Sequence, residues 1–319
     1  MEISVVIPAY NAEATIDATI QSVLAQTYAP KEILVLDDGS TDDTFVRLQA
    51  YASRITILRQ SNRGVAHARN LLCARAQAEI LAFLDADDLW HPNYLETQHN
   101  ELIKKFPNAV AYFTGHENLL GLGDFVWKKG LLPRPPKPFL ICPRKFIKIC
   151  NKKPLHFQLS CGCFRRAVLL ELGSELFRGI VGEDTYLHML LPFKGSVVYA
   201  PQPLVAYRIT PSSLSANRLK NSLMVVEVFD SLRKKYEAAK DPTIRKAFKL
   251  AYASRRRNCG KFLMGNGNKY EARREFSDST KISYNPISVA KSVTLLLLTY
   301  LPGIFQPRWP SDQRPPTRT

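Results

Sequence analysis

Three carboxylates, Asp85, Asp87 and Asp88, close a short apolar run in the segment EILAFLDADDLW (79–90). A strand that ends in acidic groups places hard oxygen ligands at the rim of a sheet, where open α/β folds hold their ligands. Such a cluster suits a divalent cation. Because Mg²⁺ is usually held by one or two carboxylates plus substrate phosphates, a phosphate-bearing partner is implied as well. The plain alternative is a solvated turn capping the helix that Pro92 begins, since Asp is favoured at helix N-termini for reasons unrelated to metals. A second acidic pair, Glu183 and Asp184 in IVGEDTYLHMLL, opens another helix, where carboxylates usually serve the helix dipole. A third segment, ILVLDDGSTDDT, turns through Gly39 and offers Ser40 or Thr41 as a helix cap, with Asp42 and Asp43 in the first turn. Asp38 differs, because it sits at the strand end and faces the expected ligand crevice.

These groups need elements to position them, and the first hundred residues supply a regular alternation. Apolar runs at 3–7, 32–36, 55–58 and 79–84 alternate with helical patterns at 13–25, 42–52 and 64–77, and a further helix is expected from 92. This βαβα order predicts a parallel sheet covered by helices, with ligand chemistry gathered at the strands' C-terminal ends. Three segments meet there: Pro8, Ala9, Tyr10 and Asn11; Asp37, Asp38, Gly39 and Ser40; and Asp85 to Asp88. Downstream, the PRPPKP core of the basic segment 128–154 lacks backbone donors, so a substrate-side loop or a plain connector is expected. LSCGCFRRAVLLELG predicts a small strand and a helix, and SVVYAPQPLVAYRI predicts a strand leading to Arg208 and the Ser-rich turn TPSSLS. Helical segments rich in Lys and Arg, including Arg255, Arg256 and Arg257, follow from 218.

Composition is ordinary for a globular protein, and 319 residues can bury a sizeable core. Charge is unevenly spread: residues 1–100 carry 7 Lys+Arg against 13 Asp+Glu, and residues 101–319 carry 37 against 15. The basic part suits nucleic acid, anionic lipid headgroups or a pyrophosphate-linked substrate. Against nucleic acid, no reading motif is interleaved with the basic residues, and the motif-rich region is acidic. The cysteines Cys73, Cys142, Cys150, Cys161, Cys163 and Cys259 form no CxxC pair and are expected to be reduced and structural, which suits a cytosolic compartment. No signal peptide is expected, since MEISVVIPAYN lacks a basic n-region. In the most apolar stretch, 287–305, Lys291 interrupts the run and Pro302 closes it, leaving too little to cross a bilayer as a helix.

In chain order, SVVIPAYN, VLDDGSTDDT, NRGVAHARN, FLDADD and GED resemble the motifs of the inverting glycosyltransferases of family 2, which have the GT-A fold. The resemblance covers roughly residues 1–210. It implies an α/β protein with a GT-A type, mostly parallel sheet flanked by helices and a C-terminal helical extension. The expected organisation is a catalytic domain over 1–217, with a nucleotide-binding half 1–105 and an acceptor-side half 106–217. A basic helical extension over 218–306 contains the segment 287–305 as a membrane-associating stretch or a buried helix, and 307–319 is expected to be a disordered tail. The resemblance further implies that Pro8, Ala9, Tyr10, Asp38 and Arg69 bind the nucleotide, with Asp38 near the base. Asp85 and Asp87 look like the metal-binding DxD pair at the phosphates, with Mn²⁺ or Mg²⁺ as the cation. Asp88 becomes a ligand or acceptor contact, Asp184 the catalytic base, Glu183 its helper, and Arg208 a contact to donor phosphate or acceptor. Processive synthases of the family carry QxxRW, whereas Gln306, Arg308 and Trp309 stand at the wrong spacing, so a single-sugar, hexosyltransferase-type enzyme is implied.

Displacing a nucleoside diphosphate from an anomeric carbon needs charge neutralisation on the leaving group and a base for the attacking hydroxyl, and these residues supply both types. The expected donor is a UDP-sugar, with GDP- and dTDP-sugars open. The expected acceptor is a glycan or lipid-linked glycan of cell-surface polysaccharide synthesis, met in the cytoplasm or peripherally at the cytoplasmic face of the membrane. Competing classes are a nucleotide-binding protein without turnover, against which the intact DxD and Asp184 stand, and a basic anion- or nucleic-acid-binding protein.

Overall fold

In the computed structural model, which describes residues 1–122, 125, 127, 137–149, 151–152, 155–173, 176–177, 183–210, 218–283 and 285–300, strand β1 (Ile3–Ala9) is buried along its whole length. A run without a polar face fits only the middle of a sheet covered on both sides. α1 (Ile16–Leu24) buries Ile16, Thr19, Ile20 and Val23, the stripe that a 3.6-residue period gives a helix lying on such a sheet. β2 (Glu32–Asp37), α2 (Thr44–Gln49), β3 (Thr56–Arg59), α3 (Val65–Arg75) and β4 (Ile80–Phe83) complete the first half. β1 pairs in parallel with β2 on one side and β4 on the other, in the order β3-β2-β1-β4. The order reverses between β1 and β4, which opens a crevice at their C-terminal ends.

The second half of the sheet is mixed. β5 (Leu89–Trp90) precedes α4 (Tyr94–Thr97), which runs on as a π-helical stretch, Gln98–Ile103. β6 (Ala111–Leu120), β7 (Phe139–Ile141), α5 (Pro143–Ile149), the small ribbon of β8 (Asn151–Lys152) and β9 (Leu155–His156), β10 (Gly162–Arg165), α6 (Arg166–Leu172), α7 (Glu183–Leu190) and β11 (Val197–Ile209) follow. β10 inserts antiparallel between β4 and β6, β6 and β11 are parallel, and β5 and β7 both pair antiparallel with β11. Residues 139–149, expected within a loop, instead form β7 and α5. Phe146 and Ile147 bury there, and β7 finds a free sheet edge beside Val197–Tyr199. Residues 128–136 of that loop, with most of its Pro-rich core, the turn residues 211–217 and residues 301–319, which include the end of the 287–305 segment and the tail 307–319, lie outside the described residues.

The chain divides into two compact units, Met1–Ser213 and Leu214–Thr319. The second contains four helices among its described residues: α8 (Arg218–Glu237), α9 (Pro242–Gly265), α10 (Lys269–Ile282) and α11 (Pro286–Leu298). Asp241 caps α9 by accepting from the Thr243 amide at 2.7 Å, and Asn285 caps α11 by accepting from the Ser288 amide at 3.0 Å. Tyr236 and Phe248 stack with ring centroids 4.0 Å apart, joining α8 to α9. Arg256 is bound to Asp230 at 2.8 Å, Glu275 at 3.1 Å and Asp278 at 3.3 Å, a partly buried network that links α8, α9 and α10.

Candidate active site

The loops after β1 and β2 are laced together. Asn11, held at φ 47°, a left-handed conformation that Asn tolerates better than most residues, donates its amide to Ser40 Oγ at 3.0 Å and accepts from the Thr41 amide at 2.9 Å. The Ala12 amide donates to Thr44 Oγ1 at 2.7 Å. Ser40 and Thr41 therefore join the two loops and do not cap α2. That task falls to Asp42, whose Oδ1 accepts from the Thr44 amide at 3.0 Å, while Asp43 at the cap position makes no cap bond. Gly39 is required here, because its φ is 75° and a Cβ would stand 2.6 Å from the Asn62 amide nitrogen. These contacts leave Pro8 and Ala9 buried in β1 and Tyr10 about half exposed at the rim.

Asp38 is buried and organises the approach to α3. Its Oδ1 accepts from Gln60 Nε2 at 2.6 Å and the Arg63 amide at 3.0 Å, and its Oδ2 accepts from the Gly64 amide at 2.8 Å. The loop before α3 is thus pinned to the end of β2.

After β4 the acidic loop is held from two sides. Thr15, just before α1, and Thr19 of α1 donate to the Ala86 carbonyl at 2.9 Å and 3.0 Å, and the Asp85 amide donates to Ser160 Oγ at 3.1 Å. Asp88 is fully buried; its Oδ1 accepts from the Arg208 amide at 2.8 Å, and its Oδ2 has no hydrogen-bond partner among the described residues. The Arg208 guanidinium donates through Nε to the Asp87 carbonyl at 2.8 Å and through Nη1 to the Gly121 carbonyl at 2.6 Å. It acts as a buried strut under the acidic loop, and the charge it brings favours the ionised form of Asp87.

Crowding of like charges shows in the titration of these groups. Burial and then the neighbouring Asp85 push Asp87 up to about 6. Burial, together with Asp87 and Asp85, holds Asp88 well above the usual carboxylate range. Among the described residues no three His, Cys, Asp or Glu side chains form a metal cage on their own. Carboxylates in need of a countercharge and an Asp88 oxygen without a partner among the described residues could hold Mg²⁺ or Mn²⁺. Such a site would rest on one or two of these carboxylates and complete its shell with phosphate oxygens and water.

Arg69 joins this loop to the second acidic pair. Its guanidinium is nearly buried, donating to Asp85 at 2.5 Å through Nη2 and to Glu183 through Nη1. Burial alone would lower its pKa, and the charges of Asp85 and Glu183 reverse that and keep it ionised. Asp184, beside Glu183, is partly exposed, and its Oδ1 accepts from the Thr185 amide at 2.5 Å. Burial raises the Asp184 carboxyl, and the charge of Asp85 adds to the rise, so the two acids lie within electrostatic reach of each other. Burial likewise raises Glu183 against the pull of Arg69. Behind them α7 is anchored by His188, ringed by Phe113, Phe146 and Phe157 and kept neutral by burial, which lowers it to about 3.

The structure thus brings Asp85, Asp87, Asp88, Arg69, Glu183, Asp184 and Arg208 into one connected set. Asp38 and Tyr10 stand in the loops at the ends of the adjoining strands. Sequence reasoning missed Ser160, Thr15, Thr19 and Gln60, which hold the acidic and β2-end loops. Ser and Thr beside apolar runs carry no local mark of such tasks. Cys161 and Cys163 lie buried in or beside β10 as core groups, and the described cysteines are all free.

A sheet with a parallel first half, a mixed second half and flanking helices has the architecture of a GT-A glycosyltransferase. The chain belongs to glycosyl transferase family 2, whose model matches residues 4–173. A relative in Escherichia coli, the UDP-Glc:alpha-D-GlcNAc-diphosphoundecaprenol beta-1,3-glucosyltransferase WfgD, is 34% identical over 225 residues, covering 68% of this chain and 81% of that protein. Among solved structures, Staphylococcus aureus TarS 1-349 in complex with UDP-GlcNAc superposes with a TM-score of 0.68 at 16% identity, covering 94% of this chain and 89% of that one. The mannosyltransferase PcManGT from Pyrobaculum calidifontis, in complex with GDP-Man and Mn²⁺, superposes with a TM-score of 0.55 at 20% identity, covering 94% and 81%. These two structures share the fold.

Proposed function

We propose that this glycosyltransferase moves one hexosyl group from a UDP-sugar to a lipid-linked glycan of cell-surface polysaccharide synthesis, with inversion at the anomeric carbon and with peripheral contact to the cytoplasmic membrane face. The observation that carries the reading is the Arg69 bridge, which draws Asp85 and the Glu183–Asp184 pair to one place although Asp85 and Glu183 stand 98 positions apart in sequence. Phosphate-side and base-side groups then face one reacting centre. WfgD, whose name gives both a UDP-Glc donor and a diphosphoundecaprenol-linked acceptor, supports the choice of donor and acceptor class. Asp38 Oδ2 accepts a single bond among the described residues, which leaves capacity for the imide N–H that uracil presents.

A divalent cation held by Asp85 and Asp87 would neutralise the charge that develops on the departing diphosphate, as the Mn²⁺ of the archaeal neighbour suggests. The chain's own residues supply the rest. Asp184 accepts the proton of the acceptor hydroxyl while that oxygen bonds to the anomeric carbon and the bond from that carbon to the diphosphate breaks on the opposite face. Thr185 engages Asp184 Oδ1, so Oδ2 is the oxygen that takes the proton. Arg69 neutralises Glu183, which orients the start of α7. Tyr10 offers its ring to the base at the rim.

The test is a titration of the protein with UDP, GDP and dTDP, with and without Mn²⁺ or Mg²⁺, in the wild type and in Asp87→Ala. Metal-dependent binding of UDP that disappears in the variant is the expected result. If no nucleotide binds with either metal, the reading fails.

A further inference from the structure

An ordinary surface helix buries its apolar stripe and shows water its polar side. α11 does the reverse. Ser288, Ser292 and Thr299 are buried, whereas Ile287 is 68% exposed, Leu297 61% and Tyr300 62%. Val293 is exposed as well, and Lys291, the one charge of the helix, is exposed at the flank of this face. The reversal has a local cause. Arg257 of α9 is half-buried, and its Nη1 donates to Ser288 Oγ at 2.8 Å, to Ser279 Oγ of α10 at 3.2 Å and to Ser292 Oγ at 3.2 Å. Arg273 of α10 donates to Thr299 Oγ1 at 3.1 Å and lies over the Tyr300 ring at 4.0 Å. The polar side of α11 is spent on solvating arginines within the unit; Val289, Leu295, Leu296 and Leu298 are half-buried, and Ile287, Val293 and Leu297 are left outside.

The charges beside that apolar face are also unbalanced. Arg257 has no carboxylate partner among the described residues, in contrast to its neighbour Arg256 with three. Lys261 follows one turn later on the same side of α9. After burial, the charges of Arg257 and Lys291 disfavour its protonated form. Residues 214–319 hold 21 Lys+Arg against 8 Asp+Glu, most of the chain's net charge of +16. No helix among the described residues is long and apolar enough to cross a membrane. An outward apolar row flanked by cations fits a helix that lies in the plane of an interface.

We propose that this face of the helical unit docks on a bilayer of anionic lipid, with Ile287, Val293 and Leu297 entering the interface and the exposed Lys261 and Lys291 gripping headgroup phosphates. The proposal deepens the lipid-linked-acceptor reading by naming the surface and the lipid chemistry, and it rests on that reading only for its purpose.

The experiment is flotation of the full chain with vesicles of phosphatidylcholine alone or mixed with phosphatidylglycerol, alongside UDP binding in the presence of Mn²⁺. Wild type is expected to float with the anionic vesicles alone and to be released by about 0.5 M salt, which shortens the screening length to a few ångströms. At about fivefold per cation, Lys261→Gln with Lys291→Gln lowers partitioning about 25-fold. Val293→Asp with Leu297→Asp abolishes flotation, and both pairs keep UDP binding, since all four side chains are exposed. Three results would overturn the proposal: wild type that binds UDP yet ignores anionic vesicles, variants that float like wild type, or a dimer that Val293→Asp with Leu297→Asp converts to monomer without changing flotation. Wild type that floats but binds no nucleotide strikes the transferase reading and leaves the docking surface standing.

Discussion

Replacing Asp87 by Asn should cost the enzyme its nucleotide and yet stabilise the metal-free fold. Asp87 titrates at about 6 where an ordinary aspartate has 3.8, because burial and Asp85 both disfavour its charge. At ~1.4 kcal/mol for each pH unit, the ionised side chain weighs against the folded state by about 3 kcal/mol at neutral pH, and partial exposure and relaxation bring that to roughly 1–3 kcal/mol. The sign follows from the direction of the shift. The folded state binds this proton more tightly than the unfolded chain, so stability is lost as pH rises from about 4 to about 6 and stays lost above. Asp87→Asn removes that loss, and in EDTA at pH 7.5 its melting temperature should exceed wild type by roughly 3–10 °C for a unit of this size. At pH 4, where folded wild type is protonated, the difference should vanish. With Mn²⁺ and UDP the order should invert, since wild type gains ligand stabilisation that the variant cannot. A variant that melts at or below wild type in EDTA at pH 7.5 would show that the repulsion is already compensated and the argument from crowded carboxylates is mistaken.

Other perturbations separate chemistry from folding. Asp184→Asn should lower turnover by about 10²–10⁴ while UDP affinity stays within a few-fold, as paired kinetics and calorimetry would show; the acid limb of the wild-type rate profile should lie above the ordinary carboxylate range, because burial raises Asp184. Arg69→Met leaves Glu183 and Asp85 without their shared countercharge and should cost about 3–5 kcal/mol in urea unfolding, with Glu183→Gln in the same chain restoring part of it. Arg69→Lys should fall between the two, since one ammonium cannot match a guanidinium fork that spans two carboxylates. Gly39→Ala should destabilise by about 1–3 kcal/mol and weaken UDP binding, because the left-handed turn cannot take a Cβ facing the Asn62 amide.

The order of elements in the first hundred residues was legible in the sequence. Helical and strand periodicities are local, and a buried central strand such as β1 can show no polar face. The same local logic put Asp38, Asp85 and Asp87 at strand ends, and the five motifs together supplied the family. Capping was legible in kind and wrong in detail, since Asp42 and not Ser40 or Thr41 serves α2; which oxygen caps depends on what the β1 loop claims first. Only the tertiary structure decided the rest, because each of these contacts joins residues far apart in sequence. β10 entered antiparallel beside β4, β7 found an edge on β11, and Arg208 became a strut for the acidic loop. Arg69 met both Asp85 and Glu183, an arrangement no spacing can specify, since side-chain partners across a sheet are set by register and packing. The outward apolar face of α11 belongs to the same class: its residues are printed in the chain, but the choice of side was made by two arginines on other helices.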